Sequence, residues 1–197
     1  MNVYDFDKTI SHTDSTAAFV MYCIKRWPKV LLTIPGTGVA ALGMVLKVLP
    51  KTQFKQYMYR FLKHIPDIDQ AVVDFWDSGK VTIHKWYLAQ HQENDLVISA
   101  SPEFLLRPMC QRLGISRLIA SVVDPHTGKY TGVNCHGASK VERYREQYGE
   151  IVPEAFYSDS YSDEPMAKIS SSAYMVRGEV VEAWNFKDKE AMSCTTM

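Results

Sequence analysis

Apolar and polar residues recur along this chain with two different periods, and the change between them divides it. Residues 2–6, NVYDF, form a short apolar run of strand type that carries a carboxylate near its end. In STAAFVMYCIKRW (15–27) the apolar positions return at helical spacing, with Asp14 or Ser15 as N-cap. The strongly apolar KVLLTIPGTGVAALGMVLKVLP (29–50) follows. TQFKQYMYRFLKHI (52–65) and DIDQAVVDFWDSGKVTIHKWYLAQHQ (67–92) are amphipathic at the helical period. About residues 14–90 are therefore predicted helical.

Beyond that block, strand patterns alternate with helical ones. DLVISAS (95–101) reads as a buried strand, and SPEFLLRPMCQRLG as a helix with Ser101 as N-cap and Pro102 at its first position. RLIASVV (117–123) is a strand, and DPHTGKY (124–130) a turn into another short one. SKVERYREQYG is a helix opened by a capping box from Ser139 to Glu142; EAFYSDS and AYMVRG are further strands. Alternation of this kind predicts an α/β fold, a parallel sheet with helices on both faces. The expected organisation is a core of residues 1–13 and 91–197, with a helical cap, 14–90, inserted after the first strand.

Open sheets of this class bind ligands beyond the carboxyl ends of their strands. Asp5 and Asp7 lie at such an end. Residues at i and i+2 of a strand share a face, so the two carboxylates repel unless a cation or a reaction needs them. Ser99 ends the run DLVIS, Lys140 stands in the first turn of a helix, and Asp159 and Asp163 follow AFYS. A lysine there opposes the helix dipole, a mild misfit that favours a role. Gathered carboxylates suit Mg²⁺, which prefers one or two of them together with substrate phosphate. A carboxylate can also serve as nucleophile, a second as general acid and base, and Lys and Ser as donors to phosphoryl oxygens. The set suits phosphoryl transfer.

DFDKT, LVISAS, SK and SDSYSD, in this order, resemble the four motifs of the haloacid dehalogenase (HAD) phosphatase superfamily. The helical block resembles the cap of its subfamily IB, the phosphoserine-phosphatase-like branch. The resemblance spans about residues 2–187. It implies Asp5 as nucleophile and Asp7 as general acid/base that also gives its carbonyl to Mg²⁺. Asp5 and Asp159 would be side-chain ligands, with Asp163 steadying the metal through water or an outer contact. Ser99 and Lys140 would hold phosphoryl oxygens, with Ala100 in the same substrate loop, and Thr9 would brace the loop after the first strand. Ser158 stands where Gly is commoner, and Ala100 and Ser101 stand where phosphoserine phosphatases resemble one another in having glycines. Asp14, an N-cap or a substrate contact, occupies the place of a Glu that reads the substrate amine. Phosphoserine is thereby disfavoured. The expected enzyme is a Mg²⁺-dependent phosphomonoester hydrolase with an aspartyl-phosphate intermediate. Its rivals are a regulatory phosphate-binding protein on the same fold and a phosphotransferase to another acceptor.

Composition narrows the partners. Hydrophobic residues make up 46% of the chain and charged ones 22%, enough for a packed core. Lys+Arg and Asp+Glu balance at 22 each, so no global field recruits nucleic acid. The four cysteines show no C-x-x-C pair, which predicts reduced thiols and, with Asp5 so near Met1, a cytoplasmic protein without a signal peptide. Between Lys29 and Lys47 the chain carries no charge, but Pro35, Gly36 and Gly38 are expected to break it too early for a membrane span. Buried helices are the first expectation there. An apolar hairpin over residues 30–49 touching a bilayer is the alternative, and it would raise a lipid head group above a soluble phosphate, since some members of the branch resemble lipid-phosphate phosphatases.

Overall fold

A computed structural model describes residues 1–48 and 51–186. Among these, six strands form one sheet in the order β3-β2-β1-β4-β5-β6. Their ranges are β1 Asn2–Tyr4, β2 Leu96–Pro102, β3 Arg117–Ser121, β4 Ala155–Ser158, β5 Ser172–Arg177 and β6 Val180–Ala183. The first five are parallel; β6 returns antiparallel on β5. The chain runs outward from β1 to β2 and β3 on one side, then crosses back to β4 on the other. The carboxyl end of β1 is thus the switch point where such sheets bind ligands.

Alternation along the strands separates two cores. Val3, Leu96 and Ile98 face one way, against Tyr144 and Met166. These last come from α7 (Ala138–Tyr148) and α8 (Glu164–Lys168). Tyr4 and Val97 face the other way, into a core shared with Phe19, Phe75, Tyr87 and Leu105. Those four come from α1 (Ser15–Arg26), α4 (Ile68–Asp77), α5 (Lys85–Gln90) and α6 (Glu103–Arg112). The Trp76 indole donates to the Leu105 carbonyl at 2.8 Å, tying the helical block to α6. The two passages between sheet and block run side by side: His12 N–H donates to Thr82 O at 3.0 Å, and His84 N–H to Ile10 O at 2.9 Å.

Several local expectations are corrected. The amphipathic run 67–92 is two helices, because Gly79 takes φ 64 and Ile83 bridges to Ser11 before α5 begins. Residues 51–65 form α3 (Lys51–Met58) followed by a 3-10 helix, Tyr59–His64. The helix expected to start at Pro102 starts at Glu103, with Pro102 in the capping position, since β2 runs on through Pro102. No capping box opens α7; Gly137, at φ 60, precedes Ala138 without a side-chain cap. Strand β6 carries too little apolar alternation to be read from its sequence.

The apolar stretch departs most. Pro35 and Gly36 do not break a helix; they sit in the first turn of α2 (Ile34–Val45), where a proline's missing N–H costs nothing. Nor is the stretch buried. Leu32, Val39, Val45 and Val48 are each 71–75% exposed, Leu42 and Leu46 60% and 64%. Pro28–Val45 is long and apolar enough to cross a bilayer by length and composition, with 11% of it buried. Leu49, the last residue of the expected hairpin, lies outside the described residues. So do Cys194 and the rest of 187–197; Cys23, Cys110 and Cys135 are buried free thiols.

Candidate active site

The loop after β1 is built to hold carboxylates still. Asp5 extends the strand, its N–H donating to Tyr157 O at 2.9 Å. The chain then turns tightly, with Ile10 and Ser11 both donating to Phe6 O and Lys8 at φ 60. That backbone is costly for a side chain with a Cβ, so the turn is held by its surroundings. Thr9 supplies part of the hold: its hydroxyl accepts the Asp159 N–H at 2.9 Å and donates toward Asp5 Oδ2 at 3.4 Å. The bracing expected of Thr9 is seen here as a link between β1 and the loop after β4.

Lys140 is 1% exposed, and its ammonium donates to Asp5 Oδ1 at 2.6 Å and Asp163 Oδ2 at 2.7 Å. Asp163 also accepts the Ser158 hydroxyl at 2.9 Å. Ser158, in the place of the commoner glycine, thus orients the last carboxylate. Asp7 accepts the Ser15 N–H at 2.7 Å and the Ser101 hydroxyl. Since Ser101 gives its proton to Asp7, the Thr16 hydroxyl, 2.8 Å away, donates to Ser101. Ser99 Oγ accepts the Ser101 N–H at 3.2 Å. Asp14 caps α1, accepting the Ala17 N–H at 2.8 Å.

All eight residues singled out from the sequence, Asp5, Asp7, Asp14, Ser99, Ala100, Lys140, Asp159 and Asp163, line one cavity of about 390 Å³. The sequence reading left out Ser101 and Thr16, which reach Asp7 from β2 and α1. Period-2 spacing from Ser99 could have flagged Ser101, since both lie on one face of an extended chain. It also left out the apolar wall of the cavity, Met44, Phe54, Met58 and Tyr59, which no local pattern assigns to a site.

Burial dominates the electrostatics. It pushes the Asp5 carboxyl up to about 7; Lys140 opposes this while Asp163 and Asp7 add to it. Asp7 is also raised, by burial first and by Asp14 next, against the Ser101 and Ser15 hydrogen bonds. Burial lifts Asp159 likewise. Burial alone would lower Lys140, but the Asp5 and Asp163 carboxylates outweigh it and keep the ammonium charged. Four carboxyl groups, Asp5, Asp7, Asp159 and Asp163, around the Lys140 ammonium leave a surplus of hard oxygen donors. That donor set fits Mg²⁺, with the Asp5 and Asp159 carboxylates the available ligands.

A family model for haloacid dehalogenase-like hydrolases matches residues 3–168. The chain belongs to that family. A histidinol-phosphatase of Neisseria meningitidis serogroup C is 22% identical, over 95% of this chain and 94% of that protein. Among solved structures, this HAD hydrolase superposes on HAD family hydrolase t0658 from Salmonella enterica serovar Typhi. The TM-score is 0.61 at 13% identity, covering 87% of this chain and 60% of that one. A phosphoserine phosphatase in a phospho-aspartyl intermediate analogue gives 0.54 at 16%, covering 87% and 83%. At these identities the structural likeness is one of fold.

Proposed function

We propose that this HAD hydrolase is a Mg²⁺-dependent phosphatase that cleaves phosphomonoesters through a phosphoaspartate at Asp5. The observation that carries the reading is the convergence of Asp5, Asp7, Ser99, Lys140 and Asp159 on one cavity at the switch point of the sheet. Bound Mg²⁺ would be held by Asp5, Asp159 and the Asp7 carbonyl, and would supply charge that keeps Asp5 ionised and offsets the phosphoryl oxygens. Asp5, anchored at the end of β1, attacks phosphorus in line with the leaving oxygen. Asp7, kept protonatable by its burial, gives its proton to that oxygen and later takes one from the attacking water. Lys140 and Ser99 donate to the equatorial oxygens, with Asp163 and Ser158 holding the ammonium in place. The helical block over residues 14–90 acts as the cap that covers the leaving group and keeps bulk water out.

For the substrate, one observation favours a lipid phosphate met at a bilayer surface. The helix whose Met44 lines the cavity is the one whose outer side chains, Val39, Leu42 and Val45, are exposed. Exposed Lys25, Arg26, Lys29 and Lys47 flank it, as expected of a segment resting on anionic head groups. A soluble phosphorylated amine is the second reading, supported by Asp14 in the cavity and by the similarity to a histidinol-phosphatase.

Phosphate release from phosphatidylglycerophosphate in detergent, histidinol phosphate, phosphoserine and sugar phosphates, with Mg²⁺ or EDTA, tests both levels. Metal-dependent release is expected, fastest with the lipid. A preference for histidinol phosphate would move the substrate reading to the amine, and no release from any would remove the phosphatase.

A further inference from the structure

Outside the cavity, a second group of side chains with metal-ligand chemistry converges where the sheet joins the helical block. His12 lies on the passage out of the sheet and His84 on the passage back. Glu179 comes from the tight turn between β5 and β6, where Gly178 takes φ 63. His84 Nδ1 is 2.9 Å from Glu179 Oε1, and His12 Nε2 is 3.0 Å from the same oxygen. One donor atom from each of the three lies within 4.8 Å of the other two. The imidazole rings are 3.8 Å apart between centroids, at 34° to each other.

The arrangement is built rather than incidental. His84 is buried, and its backbone is held by the bond to Ile10. Glu179 also accepts the N–H groups of Lys85 and Trp86, each at 3.4 Å. His12 Nδ1 is 3.2 Å from the Thr82 carbonyl and 3.1 Å from the Thr82 hydroxyl, contacts that hold the ring with Nε2 turned to Glu179.

We propose that His12, His84 and Glu179 form a site for a divalent transition metal, zinc above all, that fastens the helical insertion to the sheet. Two imidazoles and a carboxylate are a zinc donor set, with a fourth position left to water on the exposed side. Bonds of about 2.0–2.1 Å in tetrahedral array place donor atoms about 3.3 Å apart, a few tenths of an ångström beyond the two imidazole–carboxylate separations of 2.9 and 3.0 Å. The site differs in chemistry from the all-oxygen set around Asp5, for which Mg²⁺ is suited. Zinc here would couple the two passages to Glu179 at the edge of the sheet.

The test is equilibrium dialysis of the whole protein against Zn²⁺ in excess Mg²⁺, followed by metal analysis, with the Co²⁺ visible spectrum as a second readout. Wild type and Asp159→Asn should each retain one zinc per chain and show tetrahedral Co²⁺ bands. His12→Ala and Glu179→Gln, checked for fold by circular dichroism, should bind zinc at least about tenfold more weakly, since even outer-shell losses cost that much. No zinc in wild type, zinc unchanged in both ligand variants, or zinc lost with Asp159→Asn would each overturn the proposal.

Discussion

Replacing Lys140 with methionine removes the ammonium from between Asp5 and Asp163 while keeping much of the side chain's bulk. In the wild type that ammonium is the close counter-charge to two buried carboxylates. Breaking a buried pair by deleting one partner costs about 3–5 kcal/mol, because the remaining charge is left desolvated. The variant has one escape, which is to protonate a carboxyl. With the Asp5 carboxyl already at about 7 in the wild type, protonating it costs about 1.4 kcal/mol at pH 8 and nothing at pH 5, at about 1.36 kcal/mol per pH unit. Asp5 therefore adds up to about 1.4 kcal/mol of destabilisation at pH 8 and none at pH 5, and the loss should be larger at pH 8 by about that amount. Urea unfolding in EDTA, followed by far-UV circular dichroism at both pH values, measures it. Equal losses at the two pH values, or no loss at pH 8, would refute the view that Lys140 compensates buried carboxylates.

Mg²⁺ should raise Tm more at pH 8 than at pH 5.5. The raised Asp5 carboxyl contributes stability that is full below its ordinary 3.8 and is lost as pH rises through about 7, where a metal can replace the proton; equal shifts would contradict this. Ser101→Ala removes a hydrogen bond that lowers the Asp7 carboxyl, so the alkaline limb of kcat/KM should move to higher pH, read from a pH–rate profile. Gly128→Ala should cost at least about 1–2 kcal/mol in urea unfolding, because φ is +70 and a Cβ would meet Tyr59 O at 2.3 Å, in the cavity's apolar wall. Leu32→Asp with Val39→Asp should abolish sedimentation with anionic vesicles while leaving Tm unchanged, since both side chains are exposed.

The site was legible in the sequence because its parts are backbone-determined. Asp5 and Asp159 stand just after the ends of β1 and β4, Ser99 lies on β2 and Lys140 in the first turn of α7, elements whose periods announce them, and the fold gathers these positions at one edge of the sheet. Ser101 was read as a helix cap because Ser-Pro is a helix-start signal; β2 instead runs one residue further, and its serine turns to Asp7. The apolar stretch 29–50 misled for a different reason. Hydrophobic composition reports what could be buried, and only tertiary placement decides whether anything covers it. The cluster of His12, His84 and Glu179 was invisible because its members are brought together by the pairing of two passages and a hairpin on the sheet edge.

The central claim is that Asp5 carries the phosphoryl group. Asp7→Asn should slow hydrolysis of the intermediate more than its formation, so this variant, mixed with para-nitrophenyl phosphate and Mg²⁺ and quenched in acid, should accumulate it. Mass spectrometry of the peptide from residues 1–8 should then show one phosphoryl group, on Asp5. The same peptide from Asp5→Asn should stay unmodified, with turnover reduced on the order of 10⁴-fold or more. Phosphate release that persists in Asp5→Asn, or a phosphoryl group on any other residue, would contradict the account.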